Sequence, residues 1–280
     1  IFPKAMAERM TEKLLDKYGY NTKVPILELH AQNDADLQYL ADFVYEKVFL
    51  HYTMKQWGMK PDEVGGKAMA RIPVYVSTDD RYFQNPYQGV PAYGYTAMME
   101  KMISKKNIVT LTGLDYQDVI SLDEKVKKVL VNGQEFDGKV IFTACIDKLM
   151  DYKFGNLPYR SLKFEFTTLD KEEYQPVATV NYPCNYEFTR ITEFKKLTMQ
   201  KHPKTTIMKE FSTLYNPDDD RLDPLYPIPQ KENEELYDKY LNSVKEYPQI
   251  VLAGRLANYK YFTMAETIRN ALDIVKSELL

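Results

Sequence analysis

Lys163-Phe164-Glu165-Phe166-Thr167 alternates polar and aromatic residues at a period of two, the spacing at which successive side chains leave opposite faces of a strand. The pattern continues toward the C-terminus: Val177 to Tyr182, Thr189 to Phe194 and Thr205 to Phe211 each read as a strand. Together they predict an antiparallel sheet with one wetter face. Upstream, Val140-Ile141-Phe142 reads as a buried strand and Ile108 to Leu111 as another. Val129-Leu130-Val131 before Asn132-Gly133 reads as one arm of a hairpin with its turn. Helices flank this middle. Met6, Met10 and Leu14 recur at four-residue spacing, with Ala7 and Tyr18 alongside and Gly19 as the stop. From Asp34 a second helix carries Leu37, Leu40, Ala41, Val44 and Val48 on one stripe. Leu236, Tyr240 and Val244 mark a helix that ends before Pro248, and Ile250 to Ala253 is a strand. The last helix has Met264, Ile268, Ala271, Leu272, Val275 and Leu279 on one face and a capping box, Thr263 to Glu266, at its start. The expected fold class is a mixture of α/β and α+β.

The chain has 280 residues, 44% of them hydrophobic and 28% charged, the ordinary range of a globular protein. Its formal net charge of -3 argues against a general nucleic-acid binder but leaves room for a local basic pocket. Apolar runs such as Gln249 to Ala253 are too short to span a membrane. Cys145 and Cys184 lie far apart without a C-x-x-C pattern, which fits a reducing, cytoplasmic compartment. His30, His51 and His202 are scattered and predict no metal site. The chain opens on Ile1-Phe2-Pro3 with no signal-peptide pattern, so Ile1 is read as other than a natural start. Tyrosine supplies 23 residues; that richness suits polar ligand pockets, although a tyrosine-rich surface is the plainer reading. No G-x-G-x-x-G occurs, so nothing by itself marks a dinucleotide site.

A series of short motifs is more specific. Tyr52-Thr53-Met54-Lys55-Gln56-Trp57-Gly58 holds the single tryptophan. Arg71-Ile72-Pro73-Val74, Asp80-Arg81-Tyr82-Phe83, Tyr87-Gln88-Gly89-Val90-Pro91 and Gly94-Tyr95-Thr96 follow. Next come Asp151-Tyr152-Lys153-Phe154-Gly155, Tyr159-Arg160-Ser161-Leu162, Thr189-Arg190-Ile191 and Tyr226-Pro227-Ile228, and the series closes with Gly254 to Tyr261. In order and approximate spacing these resemble the motifs of UDP-galactopyranose mutases, over nearly the whole chain from about Tyr39.

The resemblance implies an isomerase that interconverts UDP-galactopyranose and UDP-galactofuranose. Reduced FAD carries the covalent step through a flavin N5–sugar adduct, while the protein holds UDP and orients the sugar. It implies a helical lid domain over 1–66, substrate-loop and sheet strands over 67–95, and an antiparallel substrate-binding sheet over 151–226. Residues 96–150 and 227–280 would be the remaining parts of an FAD-binding, Rossmann-like domain whose glycine-rich opening is absent. It further implies that Arg71 and Arg190 clamp the diphosphate and that Tyr82, Tyr226 and Tyr261 donate to the same phosphates. Phe49 and Tyr52 would surround the uracil, and Trp57 would sit on a mobile loop beside the substrate. These arginines and Trp57 are the candidate catalytic residues. Arg255 matches the arginine of the FAD pyrophosphate, and Thr263 and Met264 open the helix that faces the flavin. A homodimer is the family expectation.

Without the resemblance each residue has a plainer reading: a solvated arginine, a core tryptophan, Phe49 in a helix core. Four positions depart from the family pattern. Thr263 replaces an aspartate, Phe188 a tyrosine, and Ala144-Cys145 a Gly-Pro. Asp80 replaces an asparagine, adding a charge that is unhelpful unless it pairs with Arg81 or points away. Without the glycine-rich turn, the chain alone is expected neither to hold FAD tightly nor to catalyse ring contraction. The alternatives are a nucleotide-sugar-binding fragment without catalysis, and an amine-oxidase-like flavoprotein oxidoreductase. An oxidase has no need of arginines and tyrosines aimed at a diphosphate.

Overall fold

In the computed structural model, which describes residues 1–61, 63–64 and 73–279, Pro3 opens and Gly19 closes the first helix, Lys4–Tyr18. Proline lacks an amide that the first turn would leave unpaired, and Gly19 ends the helix at φ 76°, where a side chain is strained. The chain forms two units: residues 1–98 with 163–212, and residues 99–162 with 213–280.

In the first unit, Asp34 caps the helix Ala35–Val44 by accepting from the amides of Asp36 and Leu37 at 3.0 and 3.1 Å. Lys13 and Arg9 of the first helix pair with Asp34 and Asp36. Leu29, Ala41, Val24 and Val76 form the core beneath, with Leu14, Tyr18 and Val74 packed against it. The apolar stripe expected to end at Val48 does not continue there. Residues Tyr45–Leu50 form a π-helical turn, which adds a residue to the repeat and rotates the following face. Val48 is therefore 48% exposed, and its neighbour Phe49 is 6% exposed against Ile26, Val44, Tyr45 and Val74.

The antiparallel sheet predicted from the alternating segments is present. Strand Arg190–Glu193 pairs with Thr179–Asn181 on one side and with Thr205–Leu214 on the other. The long strand Tyr159–Leu169 belongs to the same sheet, and the side chains of Thr168 and Thr206 meet at 3.0 Å. The two faces at Lys163 to Thr167 do not separate into wet and dry: all five residues are exposed, so alternation there reflects strand geometry without a buried side.

A buried carboxylate pins this sheet to its loop. Glu193 accepts from the amides of Tyr174 and Gln175 at 3.0 Å each and from the Thr205 hydroxyl at 2.6 Å. Gln175 then donates to the carbonyls of Ala178 and Ile191.

The second unit contains the hairpin arms Lys128–Val131 and Gln134–Glu135. Asn132 and Gly133 take φ 51° and 75°, the paired positive values of a tight hairpin turn. Strand Ile120–Asp123 adds to its other edge. Val140–Phe142 is paired in parallel with Ile250–Leu252, and of its three residues Phe142 alone is buried. No strand forms at Ile108 to Leu111: Ile108, Val109 and Leu111 are exposed and the segment has no ladder partner among the described residues.

The core of this unit is built of tyrosines. Tyr159, Tyr240, Tyr247 and Tyr259 are buried together with Ile146, Met150, Leu157 and Val244. The Tyr240 hydroxyl donates to the Gly155 carbonyl at 2.6 Å, and the Tyr259 hydroxyl to the Pro158 carbonyl at 2.6 Å. Asp147 accepts from the amides of Leu157 and Lys148 at 2.8 and 3.0 Å. By contrast, the apolar face of the last helix, Met264–Ile274, is exposed at Met264, Ile268 and Leu272.

Replacing Glu193 by Gln removes charge and acceptors from a fully buried position, and is expected to lower unfolding free energy by about 1–3 kcal/mol in urea titrations. Burial pushes the Glu193 carboxyl up, but hydrogen bonds from Thr205, Gln175 and Tyr174 outweigh it and leave it below its ordinary value. The contribution is thus complete above the unfolded value of about 4.3 and is lost as pH falls through the lower folded value. The wild-type to Glu193→Gln difference should therefore shrink in acid; a difference that stays constant would contradict this.

Candidate functional site

The helix His51–Trp57 follows the π-helical turn and ends at Gly58 in the left-handed conformation, φ 72°. Tyr52 and Lys55 are three residues apart and so share a helix face. The Tyr52 hydroxyl accepts from Arg190 Nη2 at 2.7 Å. Arg190 opens its strand directly opposite Glu210, and its Nε lies 3.5 Å from the Glu210 carboxylate. Burial pushes the Glu210 carboxyl above its ordinary value, and the Arg190 charge offsets only part of that rise. A guanidinium held on one side by a hydroxyl and on another by a half-desolvated carboxylate is oriented rather than swinging in solvent, the arrangement that fork-like recognition of phosphate requires. Trp57, half-buried, ends the same helix.

The first unit therefore brings Tyr52 and Arg190 together, while Trp57 shares the helix of Tyr52 without sharing its face. Phe49 lies in the core, as its plainer reading has it. Tyr82 is exposed, its ring edge-on to Phe83 at 4.7 Å. Arg81 pairs with Asp79 at 2.7 Å, not with Asp80, which is exposed. Arg71 lies outside the described residues.

In the second unit the rings of Tyr226 and Tyr261 stack at 6.0 Å with an interplanar angle of 7°. The Arg255 guanidinium lies over both, 5.1 and 4.5 Å from their centroids. It donates to the carbonyls of Leu225 at 3.0 Å and Phe262 at 2.6 Å, the residues beside those two tyrosines. Arg160, buried on the strand Tyr159–Leu169, is the register partner of Tyr226, and burial lowers the pKa of its guanidinium.

Arg255, the residue expected to hold a flavin pyrophosphate, does not fit it as placed, and the helix expected to face the flavin offers an anion little. Arg255 spends two nitrogens on backbone carbonyls and its face on two rings. The last helix begins with a closed capping box: Thr263 Oγ1 accepts from the Glu266 amide at 3.2 Å, and the Glu266 carboxylate accepts from the Thr263 amide at 2.7 Å. A phosphate at that end would meet a carboxylate in place of open amides. Met264 is exposed. A cavity of about 580 Å³ opens near the ends of the parallel strands, where such sheets usually seat ligands, against Ala144, Cys145 and Leu256. Its charged lining is Asp115, Asp147, Asp223 and Lys148, more carboxylate than ammonium, which also disfavours an anion, and burial pushes the Cys145 thiol up to about 12.

Glu210, Lys55 and Arg160 were not singled out from sequence. Lys55 and Arg160 stand inside quoted motifs, so their signal was present. Glu210 carries none, because cross-strand register decides its place.

A family model described as UDP-galactopyranose mutase matches residues 47–261. The chain is also similar to dTDP-fucopyranose mutase of Escherichia coli, 30% identical over 275 residues, 97% of this chain and 69% of that protein. A probable UDP-galactopyranose mutase of Klebsiella pneumoniae is 33% identical over 274 residues, 97% of this chain and 66% of that protein. The UDP-galactopyranose mutase of Mycoplasma genitalium is 30% identical over 269 residues, 95% and 65%. A crystal structure of reduced UDP-galactopyranose mutase shares the fold, with TM-score 0.57 and 16% identity over 93% of this chain and 68% of that one. The chain spans about two thirds of the length of these curated relatives. Among the described residues, no helix is long and apolar enough to cross a membrane.

Arg255→Lys keeps the charge and loses the fork. It is expected to lower stability by about 1–3 kcal/mol in chemical denaturation, through the lost carbonyl bonds and ring contacts. An unchanged midpoint would free Arg255 from this scaffolding role.

Proposed function

Because the chain belongs to the UDP-galactopyranose mutase family, we propose that it binds a UDP-sugar and serves the interconversion of UDP-galactopyranose and UDP-galactofuranose. The observation that carries this reading is the Arg190 guanidinium held by the Tyr52 hydroxyl and the Glu210 carboxylate. A diphosphate needs fixed cations and hydroxyl donors, and an oriented arginine fork supplies the most directional of them. Arg190 takes the phosphate, with Arg71 as the second cation by resemblance. Tyr52 lends its ring to the base and its hydroxyl to Arg190, and Trp57 flanks the sugar. Hydroxyls of Tyr82, Tyr226 and Tyr261 are assigned to phosphate on the same ground. Phe49 acts from the core, as support for the helix that carries Tyr52.

In the family reading, reduced FAD supplies the covalent chemistry when bound. Arg255 as placed gives its donors to backbone carbonyls instead of a pyrophosphate, Thr263 and Met264 remain assigned to the flavin-facing helix by resemblance, and no step is drawn through them. Two free cysteines fit a reducing, cytoplasmic setting.

Calorimetric titration tests the clamp. Arg190→Ala is expected to weaken UDP by tenfold or more, the equivalent of roughly 1.5–3 kcal/mol for one charge-assisted contact. Equal affinity in a variant that circular dichroism shows folded would remove the assignment. The likeness to dTDP-fucopyranose mutase makes dTDP a second arm: preferential binding of dTDP would change the nucleotide while keeping the clamp.

Trp57 is the single tryptophan, so its emission has one source. Saturating UDP is expected to shift its intensity or wavelength, because a ligand beside the ring changes its exposure to water. Emission that stays the same would place Trp57 away from the ligand.

A further inference from the structure

Resting on the diphosphate reading above, we infer that Lys55 is a positioning residue: its ammonium locks the helix carrying Tyr52 to the loop that delivers Arg190. Strands Thr179–Asn181 and Arg190–Glu193 are joined by a loop closed by the Tyr182 amide on the Thr189 carbonyl at 2.9 Å. Inside this loop the carbonyls of Tyr182, Tyr186 and Phe188 turn toward one point, and Lys55 Nζ donates to all three, at 3.0 Å to the last two. Carbonyl oxygens gathered on one spot repel one another, and a group with three N–H donors on a single charged atom satisfies them together. Asn185 takes φ 67°, a left-handed turn that helps fold the loop back.

The consequence reaches Arg190 through geometry. Tyr52 and Lys55 leave the helix on one face, one toward Arg190 and the other toward the loop that ends at Arg190. Two further ties run along the same seam. The Ser212 hydroxyl donates to the Gln56 carbonyl at 2.8 Å, and Cys184 Sγ lies 3.6 Å from the Lys47 carbonyl. Those are neutral contacts; the ammonium is the charged one, and therefore the strongest of the three. A cavity of about 460 Å³ lies against Lys55, His51, Cys184 and Tyr186, so loss of the ammonium leaves the loop room to move. The aromatic cluster of Tyr182, Tyr186 and Phe188 packs the loop against itself but does not set its place on the helix. Burial lowers the Lys55 pKa, consistent with an ammonium taken partly out of water.

The test is UDP titration into wild type, Lys55→Met, Lys55→Gln, Lys55→Arg, Arg190→Ala and the doubles of Met and Gln with Arg190→Ala. Lys55→Met and Lys55→Gln are each expected to weaken UDP about tenfold, and Lys55→Arg to recover most of that loss. Adding either neutral substitution to Arg190→Ala should cost little more, because Lys55 acts through Arg190. Should Lys55→Met fail to fold, Lys55→Gln and its double decide. A lysine with a merely structural role would lower the melting temperature and cost the same factor in both backgrounds, which overturns the inference. So would wild-type affinity in the neutral variants while Arg190→Ala binds weakly. If Arg190→Ala itself binds like wild type, the diphosphate reading falls first and this inference with it.

Discussion

A protonated lysine on the helix His51–Trp57 and three loop carbonyls on the sheet side meet at one point. Each partner would be poorly placed without the other. The ammonium has left part of its water, and its N–H donors satisfy all three carbonyls together. Around this contact the Tyr52–Arg190 hydrogen bond and the Arg190–Glu210 pair become a fixed arrangement instead of three separate surface groups. Electrostatic recognition depends on such fixing, since an arginine that must be ordered on binding gives part of its energy to that ordering.

The second unit uses a different solution to the same problem of buried polarity. Its core holds tyrosines where aliphatic residues would be usual, and Tyr240 and Tyr259 turn their hydroxyls onto loop carbonyls. Asp147 does the converse, accepting the loop amide of Leu157. The loop from Asp147 to Pro158 is thereby held by side chains instead of by a sheet ladder. These four tyrosines are structural, while others, among them Tyr87, Tyr93 and Tyr95, lie on the surface as the plainer reading of the composition expects.

Arg255 shows how one residue type changes meaning with its surroundings. Its motif marks a pyrophosphate arginine by resemblance, yet its donors go to Leu225 and Phe262 and its face to Tyr226 and Tyr261. The helix that follows is capped by its own Glu266. The Arg255 contacts serve the alignment of the two tyrosines more directly than they serve an anion, because a guanidinium cannot give the same hydrogens to two sets of acceptors at once.

By itself the sequence determined whatever is governed by neighbours along the chain. The Asn132-Gly133 turn, the Asp34 and Thr263 caps, the stop at Gly19 and the antiparallel strands all follow from local sterics and periodicity. Family membership was equally legible, because ordered short motifs persist where overall identity is low. Tertiary structure alone decided the rest. The π-helical turn moved burial from Val48 to Phe49, an extra residue that no periodic template contains. Ile108 to Leu111 stayed out of any sheet because β-propensity needs a partner to satisfy its backbone. Glu210 met Arg190, and Lys55 met its three carbonyls, across separations of 20 residues and more than 120 in the chain. Such contacts depend on register and on where loops return, and those are fixed by packing of the whole unit, not by any local pattern.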